Sequence, residues 1–191
     1  MRIAAPLPAI SALLLLTGCG QGLGDYAVES VRIATDVPLS DETSLSYGRF
    51  LEVRLVSDTS VTALSEEIDG LYVNSDFCPL RDGNGLIAFG PFSDNGDDLG
   101  VPSEAPALRP GVDGRFHYRI YIPVAHHARA ATQPGQIQLP TYDLRETAQS
   151  ACLRLFAPGY DLLKSHSKII TVPAAMISTA LSSEPAPSRR S

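Results

Sequence analysis

Four groups of residues in this 191-residue chain are of types that can do chemistry. The stretch SDNGDD holds Asp94, Asp97 and Asp98, hard oxygen donors of the kind that calcium takes. It lacks the D-x-[DN]-x-[DN]-G spacing and the distal Glu of a calcium loop, so an exposed turn is the better reading. His126 and His127 could offer imidazole to zinc, yet neighbours on an extended chain point opposite ways and no HExxH accompanies them. They read as a solvated loop pair, and no metal or other cofactor is assigned. The cysteines Cys19, Cys78 and Cys152 form the third group. The fourth is the side of the run RFHYRIYIPV (115–124) that carries His117, Arg119 and Tyr121. Tyr and Arg are favoured at binding hot spots, which makes this the expected binding face. GxSxG, P-loop and GxGxxG patterns are absent, and nothing selects a carboxylate pair, so no catalytic residue is assigned and a non-catalytic role is expected.

The surroundings of Cys19 separate it from the other two cysteines. Met1-Arg2 is a minimal positive start, and Ile3 to Leu16 runs without a charge. That run is well short of the ~20 residues that a helix needs to cross a bilayer, so it reads as an export signal. Its end, Leu16-Thr17-Gly18-Cys19, resembles the bacterial lipobox. The resemblance implies cleavage before Cys19, diacylglycerol on its sulfur and acylation of the new amino terminus. Physically, one acyl chain holds a protein only marginally, and stable anchoring takes two or more. Position 20 is Gly rather than the Asp that retains Gram-negative lipoproteins in the inner membrane, so the family rule implies an outer-membrane protein facing the periplasm.

Export leaves Cys78 and Cys152 as one pair in an oxidising compartment, which points to a disulfide. The formal net charge of −6 argues against nucleic acid and against a polybasic lipid-binding surface. The expected organisation is a signal peptide (1–18), a lipidated tether (19–25), one domain (26–181) and a disordered tail (182–191).

Period-two alternation dominates the domain. SVRIA (30–34), RFLEVRLVS (49–57) and RFHYRIYIPV read as half-buried strands, the last with Phe116, Tyr118, Ile120, Ile122 and Val124 on one face. GLYVNS (70–75), LIAFGPF (86–92), ACLRLFA (151–157) and SKIITVP (167–173) are shorter candidates. CPLRDGNGLIAFG reads as a hairpin through its Asp-Gly and Asn-Gly steps. VTALSEEIDG (61–70) has room for one or two helical turns, and the loop at 125–149 for either a strand at Ile137 to Leu139 or a short helix near Asp143 to Gln149. About seven strands predict an all-β, antiparallel two-sheet sandwich, immunoglobulin-like or related. Leu153 and Leu155 should point inward, which puts Cys152 on the opposite side. Long loops at 93–114 and 125–149, with Tyr142 and Tyr160 in or beside loops, add candidate binding surface.

These readings predict a lipid-anchored envelope component that meets the membrane through its lipid and an envelope protein through its domain. Glycan or small-ligand binding is the alternative, and an envelope hydrolase comes third. Replacement of the anchor residue, Cys19→Ala, should leave an unprocessed chain without lipid. Mass spectrometry of the N-terminal peptide checks this, and an unlipidated wild-type peptide would contradict it.

Overall fold

The computed structural model describes residues 22–66, 68–81, 85–127, 140–146, 149–158 and 165–183. Cys19, the expected strand at 137–139, Tyr160 and the last eight residues lie outside them. The strands in chain order are β1 (Ala27–Ala34), β2 (Phe50–Ser57), β3 (Tyr72–Phe77), β4 (Phe89–Ser93), β5 (Phe116–Pro123), β6 (Ala125–His126), β7 (Tyr142–Asp143), β8 (Ala151–Ala157), β9 (Ser165–His166) and β10 (Ile170–Val172). Two helices join them, α1 (Asp41–Tyr47) and α2 (Ala174–Ser182).

One sheet has the spatial order β1-β2-β5-β4 and the other β10-β8-β3, with β9 also against β8 and β6-β7 as a separate pair. Every pairing is antiparallel. Setting aside the two-residue strands, seven remain, and their orders are the ABED and CFG arrangement of an immunoglobulin sandwich. The fold is therefore the expected sandwich. That order also corrects the expected hairpin at CPLRDGNGLIAFG: β3 and β4 lie in different sheets, and the chain between them crosses from one to the other.

The core follows the alternation. Leu51, Val53 and Leu55 of β2 and Tyr118, Ile120 and Ile122 of β5 face Leu153 and Leu155 of β8 and Val172 of β10, all without solvent exposure. Cys152 sits on the other side of β8, as expected, and is bridged to Cys78 with Cα atoms 5.1 Å apart. At the margin of β4, Gly90 takes φ +112°, and a Cβ there would come within 2.9 Å of the Arg119 carbonyl, so glycine lets this edge strand bulge before Phe92.

The helices differ from expectation. VTALSEEIDG supplies only a 3-10 turn at Val61–Leu64, and the described part of Asp143 to Gln149 is the end of β7 and a turn. α1 lies between β1 and β2, where no helix was expected. Ser40 caps it by accepting the Thr43 N–H at 3.3 Å, and Gly48 at φ +70° ends it. α2 follows β10, buries Ile177 and Ala180, and lies against β1.

The two ends of the sandwich differ. The far end holds the disulfide, α1 and the β6-β7 pair. At the near end, register aligns Val28, Leu55, Tyr118 and Ser93 across the first sheet, and Tyr72, Phe156 and His166 across the second. The N-terminal segment joins the domain there: Leu23 is 1% exposed and its N–H donates to the His166 carbonyl at 3.4 Å.

The bridge closes a loop with a separation of 74 positions. A Cys78→Ala/Cys152→Ala double variant should lose roughly 2–4 kcal/mol of unfolding free energy, measured by urea denaturation. A loss well under 1 kcal/mol would show that the bridge contributes little.

Candidate functional site

The outer face of the first sheet carries the residues singled out from the sequence, in rows set by register. One row is Arg32, Glu52, Tyr121 and Phe89, and the next is Ser30, Arg54, Arg119 and Phe92. His117 stands beside Val56 at the near end. The expected face therefore exists, with His117, Arg119 and Tyr121 on one side of β5.

Tyr121 is not part of an exposed patch, however, and this corrects the sequence reading. The segment after β1 folds back over the face, so that Val37 and Leu39, ahead of α1, and Tyr47 at its end pack with Phe50, Phe92 and Tyr121 in a second, smaller core. Tyr121 is 0% exposed, and burial pushes its hydroxyl pKa up. Its hydroxyl lies 3.3 Å from Glu52, a carboxylate only 1% exposed. Arg32 reaches over from β1 to hold Glu52 through two bonds of 2.8 and 3.0 Å, which offsets the cost of burying that charge. Ser40, the acids Asp41 and Glu42, and Gly48 are the capping signals that could have revealed α1 in the sequence. Tyr142 is buried as well, its hydroxyl accepting the Ile87 N–H at 3.4 Å.

Towards the near end the face becomes ionic. Asp94 accepts from Arg54 at 2.8 and 2.9 Å, and Arg119 reaches both its carboxylate and its main-chain carbonyl. His117 meets Asp113 at 3.1 Å and Glu29 at 3.5 Å. Asp97 instead accepts from the Ser93 hydroxyl, and Asp98 caps the Gly100 N–H, so the acidic stretch folds as a turn and its carboxylates serve separate partners. No group of three potential metal ligands converges among the described residues.

His126 departs from the expected solvated pair. Its ring lies between those of Tyr47 and Tyr142, and its Nδ1 is 2.5 Å from the Pro140 carbonyl, while His127 is exposed. Ser165-His166-Ser167-Lys168 has the S-x-x-K spacing of certain acylating enzymes, a feature the sequence reading passed over. β9 ends at His166, before Lys168, and the Lys168 ammonium pairs with Asp25 at 2.7 Å instead.

Beside the ionic network lies a cleft of about 590 Å³, between the β4 turn and the segment before β5. Asp94, Asp97, Arg109 and His117 give it polar walls, and Leu108 and Phe116 an apolar floor. Its size is in the usual range for a small-molecule site, and its lining offers both signs of charge. Comparison of the chain with family models, with curated proteins and with solved structures returned no match.

The bond to Asp113 raises the His117 pKa above its ordinary value, and the same bond holds Asp113 below the usual carboxylate range. Stability from His117 is then whole below about pH 6.5 and lost as pH rises through the raised value. That from Asp113 is whole above about pH 4 and lost as pH falls through the lowered value. NMR titration of the His117 ring should show a raised midpoint that Asp113→Asn returns towards the ordinary value. A midpoint indifferent to the substitution would contradict the pairing.

Proposed function

We propose that this chain is a lipid-anchored, periplasm-facing lipoprotein of the outer membrane, and that its sandwich is a non-catalytic interaction component of the cell envelope. The observation that carries the reading is the spacing of Leu23 and Cys19. A buried residue four positions after the lipobox cysteine leaves at most ~14 Å of chain between lipid and domain. The tether expected from the sequence, 19–25, would reach ~25 Å. So short a link cannot carry the domain across the periplasm, which suits a component that waits at one membrane for a partner.

Within this reading the ionic cleft is the interaction surface. The cations of the adjoining network, Arg54 and Arg119, are already held by Asp94, so this wall is preshaped before any partner arrives. Arg109 stands exposed at its edge. The size of the cleft favours a second reading, in which a glycan or other small polar ligand occupies it.

Mass spectrometry of what co-purifies with the membrane-extracted, lipidated protein separates the two. A near-stoichiometric envelope protein, absent from a Cys19→Ala control and weakened by Arg109→Ala, is the expected result. Recovery of processing factors alone would favour the ligand reading, with a glycan array as the next measurement.

A further inference from the structure

The exposed apolar residues are not spread evenly. Among the described residues, four large apolar side chains are exposed: Tyr72 at 51%, Val101 at 41%, Val112 at 112% and Ile169 at 53%. Single exposed apolar residues are ordinary, so their placement is what matters. Tyr72 begins β3 in the row of Phe156 and His166, and the His166 carbonyl holds Leu23. Val101 follows Gly100, whose carbonyl accepts the Leu71 N–H at 2.8 Å, immediately before Tyr72. Val112 is at the tip of the turn that leads into β5, closed by the Gly111 N–H to the Arg115 carbonyl at 2.7 Å. Ile169 follows Lys168, whose ammonium pairs with Asp25 beside the incoming chain. Three of the four are thus at the near end, and the fourth borders it.

The segment between β4 and β5 crosses this end as a cover. Leu99 is fully buried, Ala105 and Leu108 pack inward against the main core, and the Leu108 N–H is held by Thr62 at 3.0 Å. Val101 and Val112 of the same segment are left outward. A chain that places Leu108 inward could have turned these valines inward too, or carried polar residues in their place. Around them, Arg115 pairs with Asp58 at 3.3 Å and Lys168 with Asp25 at 2.7 Å, while Asp69, Glu104 and Arg109 stand exposed in the same segments.

We infer that this end of the sandwich is a second membrane contact, in which Val101, Val112 and Tyr72 enter the lipid headgroup layer beneath the domain. The inference rests on the lipoprotein reading: the short chain from Leu23 to Cys19 holds this end, and not the disulfide end, against the bilayer. Apolar side chains with a tyrosine among them suit the interface, where one side is wet and the other apolar. With Arg115 and Lys168 already paired and exposed carboxylates beside them, the contact depends on apolar burial and not on anionic lipid, so it should persist in high salt. The domain then has a fixed orientation, with α1, the disulfide and the β6-β7 pair turned away from the membrane.

The chain has no tryptophan, so one introduced residue reports alone. Full-length lipidated Val112→Trp, Val101→Trp and, at the far end, Glu42→Trp would be placed in phospholipid vesicles with brominated acyl chains. Both near-end tryptophans should shift to the blue and lose about half or more of their emission to bromine, in low and high salt, while Glu42→Trp stays unchanged. Unquenched near-end tryptophans on a chain whose N-terminal peptide carries lipid would overturn the inference and leave the lipoprotein reading standing. An N-terminal peptide without lipid would overturn both. A blue shift already present in detergent and rising with protein concentration would mean that a second copy covers this end, which also overturns it.

Discussion

The pairing of β2 with β5 is the constraint on which the rest of the molecule depends. Eight residues of each strand are in register, from Phe50 opposite Pro123 to Ser57 opposite Phe116. Both strands are internal to their sheet, so each side of the pair must be covered. The inner side is covered by the second sheet through Leu51, Val53, Leu55, Tyr118, Ile120 and Ile122. On the outer side the α1 segment provides the cover, over Phe50 and Tyr121. Because the register is fixed to within one residue, it decides at once which side chains enter the main core and which form the outer rows.

The outer face consequently divides along its length. Under α1 it is apolar, and the single carboxylate there, Glu52, is buried with Arg32 folded across it. Beyond the reach of α1 it is ionic, with Asp94 joining Arg54 of β2 and Arg119 of β5 across the strand boundary. Asp94 can do this because the Gly90 bulge shifts the end of β4 relative to β5. A cleft with opposed charges, held by backbone on both sides, follows from one glycine and the pairing of two internal strands.

The sandwich is also polar along its long axis. The far end is closed covalently by Cys78–Cys152 and sterically by α1 and the β6-β7 pair. The near end is closed by a loop, which buries Leu99 and packs Leu108 against the core while leaving valines outward. The two ends thus differ in character, and the N-terminal chain joins the domain at the near one.

Alternation was sufficient to place every long strand, because a sheet with one buried side repeats every two residues. It also put Leu153 and Leu155 inward and Cys152 outward, and an exported chain with one cysteine pair pointed to the bridge that the structure contains. Local signals are strongest where the backbone itself has a period, and the lipobox resemblance at Leu16-Thr17-Gly18-Cys19 is local in the same sense, four adjacent residues read without reference to the fold. The candidate site was legible only in part. His117 and Arg119 share the expected face, but Tyr121 is buried by Tyr47 and Val37, residues more than seventy positions away in the chain. Whether the outer side of a strand meets water is a property of what folds over it, and alternation within the strand carries no record of that. The same holds for β3 and β4: Asp-Gly and Asn-Gly announce a turn, yet the sheet that each strand joins is set by partners from elsewhere, β8 for one and β5 for the other. Local chemistry decided the elements and the cysteine pair that forms the bridge. Long-range packing decided which faces are open, where the cleft lies and which end the N-terminal chain leaves free.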